Sequence, residues 1–189
     1  KQELSLGDGF VITVLFWIVL SVSGSIPFIL FGFGVVDSFF ESMSGITTTG
    51  ATVIAGLDDL PKSLLIYRQL LQWLGGMGLI VLAIAVMPLL GIGGGQLFKT
   101  QTPGPMSEQR LTPRITSTAR ALWSIYFVLT VLCIFAYRLA GMNYFDAVSH
   151  AFSTVSIGGF STHDLSIGFF DSLSIEIVCI TFMLLSAMS

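Results

Sequence analysis

Asp37-Ser-Phe-Phe-Glu-Ser-Met-Ser-Gly-Ile-Thr-Thr-Thr-Gly-Ala-Thr52 lies, without a gap, over Asp146-Ala-Val-Ser-His-Ala-Phe-Ser-Thr-Val-Ser-Ile-Gly-Gly-Phe-Ser161. Acidic, small and hydroxyl positions coincide: Asp37 with Asp146, Ser44 with Ser153, Thr47 with Ser156, Gly50 with Gly159, and Thr52 with Ser161. An ungapped match of this kind marks an internal duplication.

Each copy reads as a short helix opened by an Asp N-cap and stopped by a segment that cannot continue it. The expected helices are 37–46 and 146–155, and the expected non-helical segments 47–51 and 156–160. Such a helix rises about 15 Å, half of a hydrocarbon core of roughly 30 Å.

Outward from the two copies the sequence is apolar. Phe10 to Phe33, Leu64 to Leu90, Ala121 to Ala140 and Ser172 to Ser189 are each near the length needed to cross a bilayer. Of 189 residues 53% are hydrophobic and 10% charged, with a mean hydropathy of +0.88, against roughly 25% charged in a soluble domain. The expectation is an all-α membrane protein with four spans and two consecutive repeats, each of a spanning helix, a half-length helix, a non-helical segment and a second spanning helix. Residues 1–90 form the first repeat, 91–118 a connection and 119–189 the second repeat.

Non-helical backbone at mid-membrane is tolerable only where it is buried in protein or lines a water-filled cavity. The short helices would also aim their partly negative C-termini at the membrane centre, which favours cations there. Carbonyls of Thr47, Thr48, Thr49, Ser156, Ile157 and Gly158 can then replace part of a cation's water shell, while Gly50 and Gly159 permit backbone angles closed to larger residues. A lone Thr-Thr-Thr-Gly segment would read more simply as a polar turn; the matched second copy argues for a pore.

The connection 91–118 carries Lys99, Arg110 and Arg114, with Arg120 at its edge, and basic loops are cytoplasmic. Segments 34–63 and 141–171 then face outward and hold Asp37, Glu41, Asp58, Asp59, Asp146, Asp164 and Asp171. They read either as an acidic mouth that concentrates cations or as ordinary solvated loop charges. The polar start, Lys1 to Asp8, lacks the features of a removable leader. The apolar finish at Ser189 suggests a piece of something longer.

Phe40 to Thr52, Tyr67-Arg-Gln-Leu-Leu-Gln-Trp-Leu-Gly-Gly-Met-Gly78 and Ser156-Ile-Gly-Gly-Phe-Ser-Thr-His-Asp164 resemble the TrkH family of bacterial potassium transporters, relatives of KtrB. The resemblance covers nearly the whole chain. It implies potassium uptake across the bacterial inner membrane through a pore of four repeats, of which this chain supplies the first two. It implies ion-facing segments Thr47 to Gly50 and Ser156 to Gly159, with Thr48, Thr49, Gly50, Ile157, Gly158 and Gly159 as the cation site. It further implies a homodimer and a cytoplasmic regulatory TrkA ring. Because the two segments differ, discrimination of potassium from rubidium or sodium is expected to be weaker than in a fourfold identical filter. This half is expected to insert but not to conduct alone.

Other features read more plainly. Cys133 and Cys179 are packing residues within apolar helices. Gly75-Gly76-Met77-Gly78 reads as close helix packing, or else as a gating bend. Gly91 to Gly95 lacks the strand and Gly-Lys-Ser/Thr of a phosphate loop. Arg68 and Arg138 are expected to snorkel, or alternatively to pair with a mouth carboxylate such as Asp58 or Asp146. His150, aligned with Glu41, and His163 read as outer-mouth polar contacts. No cofactor, catalytic constellation or nucleic-acid partner is indicated. An ion-coupled carrier and a non-conducting scaffold remain the competing readings, although two repeats in the same orientation favour a channel-like arrangement over the inverted repeats of carriers.

Overall fold

Long apolar runs become helices, and the two hydroxyl- and glycine-rich segments do not. The structure is a computed structural model that describes residues 6–86 and 111–188. Its helices are α1 (Leu6–Leu30), α2 (Val35–Ile46), α3 (Lys62–Val86), α4 (Leu111–Leu139), α5 (Tyr144–Val155) and α6 (Leu173–Met188). Short 3-10 turns lie at Leu57–Asp59 and Ser166–Phe170. No strand occurs among the described residues. The residues from Gly91 to Gly95, with Lys99 and Arg110, lie outside the described residues.

Thr13–Leu30 of α1 and Thr118–Leu139 of α4 are long and apolar enough to cross a membrane. They leave Phe10, Val14, Val19, Phe127, Val128 and Phe135 exposed, a surface that suits lipid and not water. α6 is apolar but shorter, at 16 residues. α3, at 25 residues, is about 37 Å long and differs in kind: Arg68, Gln69 and Gln72 on it are fully buried.

The two repeats are alike in their turns. α1 ends at Gly32 with φ 105°, and α4 ends at Gly141 with φ 107°. Each turn returns the chain into a 12-residue helix, α2 or α5. The Asp N-caps expected at 37 and 146 are corrected by the structure, since the caps are Gly34 and Asn143. The reason is visible in α5. Asn143 Oδ1 accepts from the Asp146 N–H at 2.9 Å, and its Nδ2 donates to Asp146 Oδ2 at 2.6 Å, a reciprocal arrangement like a capping box, with Asp146 three residues inside.

α2 packs between α1 and α3, and α5 packs against α4, α6 and α3, so α3 is shared by both short helices. Around α2 the core is Phe28, Ile46, Leu64 and Leu71. Around α5 it is Met77, Tyr137, Ala151, Val155 and Ile175. Trp73 of α3 joins the second core, its ring 5.2 Å from Phe152 and 5.7 Å from Tyr126.

Candidate functional site

Both short helices end in the same hydrogen-bonded turn. After α2, Thr48 N–H donates to Gly45 O at 3.0 Å and Thr49 N–H to Ser44 O at 2.9 Å. After α5, Ile157 N–H donates to Thr154 O at 3.1 Å and Gly158 N–H to Ser153 O at 2.9 Å. This pair of bonds is the Schellman closure, which requires a left-handed residue just past the helix. That residue is Thr48 (φ 54°) in one copy and Ile157 (φ 55°) in the other. A β-branched side chain there is an outlier, worth about 1–3 kcal/mol of strain of the kind that clusters at functional sites. Two residues on, Gly50 (φ 76°) and Gly159 (φ 86°) are left-handed as well.

The segments meet at their glycines. A Cβ built on Gly50 would lie 2.0 Å from Gly158 O and 3.4 Å from Gly159 Cα. Thr48 and Ile157 face a common cavity of about 200 Å³, lined also by Gly76, Tyr126 and Ser156. Thr49 Oγ1 bonds Thr47 Oγ1 within its own segment at 2.8 Å. Of the residues singled out from sequence, Gly50, Gly158 and Gly159 are therefore in close approach, and Thr48 and Ile157 share a wall. The Gly158 carbonyl, expected to face an ion, accepts from Gln72 Nε2 of α3 at 2.7 Å.

α3 holds these segments through side chains spaced one turn apart. Arg68 does not snorkel; it pairs with a carboxylate of the segment 34–63, as the alternative had it, but with Glu41 and not with Asp58 or Asp146. It is fully buried, donates from Nε to Glu41 Oε1 at 2.7 Å, from Nη1 to Ser161 O at 3.0 Å and from Nη2 to Thr52 Oγ1 at 3.1 Å. Its guanidinium also stacks 4.3 Å from the Phe160 ring centroid. Snorkelling fails because Glu41 is itself buried, and a buried carboxylate requires a buried counter-charge. A Cβ on Gly75 would fall 1.9 Å from Ile46 O, and one on Gly76 would fall 3.1 Å from Ser156 Cβ. These two glycines are thus close-packing positions at the ends of α2 and α5.

The duplication extends to a hydroxyl brace. Thr52 Oγ1 donates to Glu41 Oε1 at 2.9 Å, and in the second copy Ser161 Oγ lies 3.0 Å from His150 Nε2. Thr52 aligns with Ser161 and Glu41 with His150, so unlike residues fill one structural role.

Of the seven acidic residues in segments 34–63 and 141–171, Glu41, Asp58, Asp146 and Asp164 hold structural bonds. Asp164 accepts from the N–H groups of Gly56 and Leu57 at 3.1 Å. Asp146 accepts from Thr162 Oγ1 at 2.7 Å and from Asn143. His163 bonds Asp58 through Nδ1 and lies 3.4 Å from Asp146 through Nε2, stacked on Phe169 at 3.5 Å. The His163 hydrogen bond holds the Asp58 carboxyl below its usual range. Asp37, Asp59 and Asp171 are exposed, as are Asp58 and Asp164 despite their bonds. Arg138 bonds the Met142 carbonyl and stacks on Tyr144. Among the described residues there is no group of three or more His, Cys, Asp and Glu placed to hold a metal ion.

Comparison with known proteins agrees with this architecture. The TrkH family, described as cation transport protein, matches residues 1–189. The Trk system potassium uptake protein TrkH of Halomonas elongata is 59% identical over the whole chain, which spans 40% of that protein. The protein of the same name from Escherichia coli strain K12 is 53% identical over 98% of the chain and 39% of its own length. The crystal structure of the potassium transporter TrkH from Vibrio parahaemolyticus superposes with a TM-score of 0.83 at 55% identity, covering 99% of this chain and 37% of that one. The chain thus spans about two fifths of the length of the relatives it matches. By its repeat, its α3 motif and these matches, the chain belongs to the TrkH family of cation transport proteins.

Proposed function

We propose that this chain forms two adjoining walls of a selectivity filter, at 47–50 and 156–159, in a transporter that takes up potassium across the bacterial inner membrane. The observation that carries the reading is the pair of matched left-handed segments at the C-termini of α2 and α5, in close approach where Gly50 faces Gly158. Helix C-termini favour a cation, and fixed backbone oxygens replace its water shell. Thr48, Thr49, Gly50, Ile157 and Gly159 supply those oxygens. Segments 34–63 and 141–171 form the outer mouth, and 91–118 is cytoplasmic.

The rest of the ring comes from two further repeats of the same polypeptide, in keeping with relatives of more than twice this length. A homodimer and a cytoplasmic TrkA-like regulatory ring complete the assembly. The protein is a transporter and not an enzyme.

The test is rubidium uptake into liposomes by the full-length polypeptide, under potassium and sodium competition, with Gly50→Ser and Gly159→Ser. Potassium-competed uptake whose selectivity either substitution relaxes or abolishes supports the filter. Unchanged selectivity in both places the filter elsewhere.

A further inference from the structure

Gln72 lies on α3 in the first repeat, yet both ends of its amide are spent on the second. Nε2 donates to Gly158 O at 2.7 Å, and Oε1 accepts from the Phe160 N–H at 3.1 Å. The side chain is fully buried. It therefore bridges the backbone on either side of Gly159, the residue at φ 86°. A Cβ on Gly158 would fall 2.4 Å from the Gln72 amide carbon, so the contact is close on all sides. One turn earlier on α3, Arg68 takes a carbonyl three residues further along, Ser161 O, at 3.0 Å. The first segment has no equivalent clamp among the bonds of the described residues. There Thr49 bonds only Thr47 through its side chain, and Gly50 leans directly on Gly158 O.

We propose that Gln72 is a positioning residue for ion selectivity, acting across the repeat boundary. Its amide fixes the peptide planes flanking Gly159 and keeps the Gly158 carbonyl turned to α3, against which Gly50 then packs. A peptide plane in a glycine pair has little intrinsic preference between orientations. A buried donor aimed at one carbonyl, with an acceptor aimed at the next N–H but one, selects a single orientation. Without the clamp the Gly158 carbonyl is free to rotate toward the ion path, and its van der Waals stop against Gly50 is lost. Both segments then change together. This inference rests on the filter reading of 47–50 and 156–159, and deepens it by naming the residue that sets the geometry of the second segment.

Gln72→Glu and Gln72→Met separate the two bonds. Methionine has similar length and offers neither bond; glutamate keeps an acceptor for Phe160 N–H and loses the donor to Gly158 O only where its carboxyl is ionised, since a neutral carboxyl donates there itself. Each is made in the full-length transporter and compared with Gly159→Ser for sodium competition against rubidium uptake, normalised to folded protein. Gln72→Met is expected to let sodium compete roughly tenfold better than in the parent, the factor corresponding to the net worth of one or two hydrogen bonds, and Gln72→Glu to do so only to the extent that its carboxyl is ionised. A residue with a merely structural role would lower the amount of folded transporter and leave the competition ratio alone, and that result in folded Gln72→Met would overturn the proposal. Should the buried carboxylate prevent folding, Gln72→Met decides alone. If Gly159→Ser shifts the ratio while Gln72→Met does not, Gln72 is not the positioning residue and the filter stands; if Gly159→Ser also leaves it unchanged, the filter reading itself fails.

Discussion

Arg68 and Glu41 meet at 2.6 Å with both side chains fully out of solvent, and the pair ties the middle of α2 to the N-terminal part of α3. Truncating one member of such a pair leaves an uncompensated buried charge, which destabilises by about 3–5 kcal/mol. Arg68→Met is expected to lose thermal stability in detergent on that scale, and Glu41→Gln with Arg68→Met to recover part of it. A double variant no better than the single one would mean that the Arg68 bonds to Ser161 O and Thr52 matter more than the charge pair.

Gly75 and Gly78 lie on the same helix but in different surroundings. A Cβ at 75 would fall 1.9 Å from a backbone oxygen, Ile46 O, whereas at 78 the nearest atom is Trp17 Cη2 at 4.0 Å. Gly75→Ala is expected to displace the end of α2 and abolish most rubidium uptake. Gly78→Ala is expected to fold and transport, gaining up to about 1 kcal/mol of helix propensity. If Gly78→Ala transports poorly while folding well, a gating bend at this position replaces the packing account.

Thr48 and Ile157 carry left-handed strain that glycine would not. Thr48→Gly and Ile157→Gly are each expected to relieve roughly 1 kcal/mol of that strain, offset in part by the entropy of a glycine in the unfolded chain, while selectivity falls because the segment loosens. Hydrogen exchange at 47–50 and 156–159 reads the loosening directly; unchanged protection in both variants would argue against strain as a locking device.

Asp58 supplies a pH test. Its carboxyl is held below the usual 3.8 by the His163 hydrogen bond, so its contribution to stability is present above that value and lost as pH falls through the lower folded value. The parent is therefore expected to lose more thermal stability than Asp58→Asn between about pH 5 and pH 3. Equal losses would remove Asp58 from the account of the mouth.

The duplication, and with it the helical architecture, was readable because Asp37 and Asp146, Ser44 and Ser153, and Gly50 and Gly159 stand in register. The caps at Gly34 and Asn143 were missed because an acidic residue three positions inside a helix looks, in sequence, like one at its start. Left-handed backbone at Thr48 and Ile157 could not be read from residue type at all, since β-branched side chains disfavour it; only the position just past a helix end pointed there. The roles of Arg68 and Gln72 depend on Glu41, Ser161 and Gly158, which lie far away in sequence. Two amides and a guanidinium on a helix otherwise apolar enough to span were the available signal, because buried polar groups in such a helix require partners.

The most direct measurement is the position of rubidium in crystals of the full-length transporter, located by anomalous scattering. Density bounded by backbone oxygens of both 47–50 and 156–159, beside the contact of Gly50 with Gly158, is the predicted result. Rubidium bound well away from both segments, with those segments ordered as described, would contradict the claim that they line one cation path.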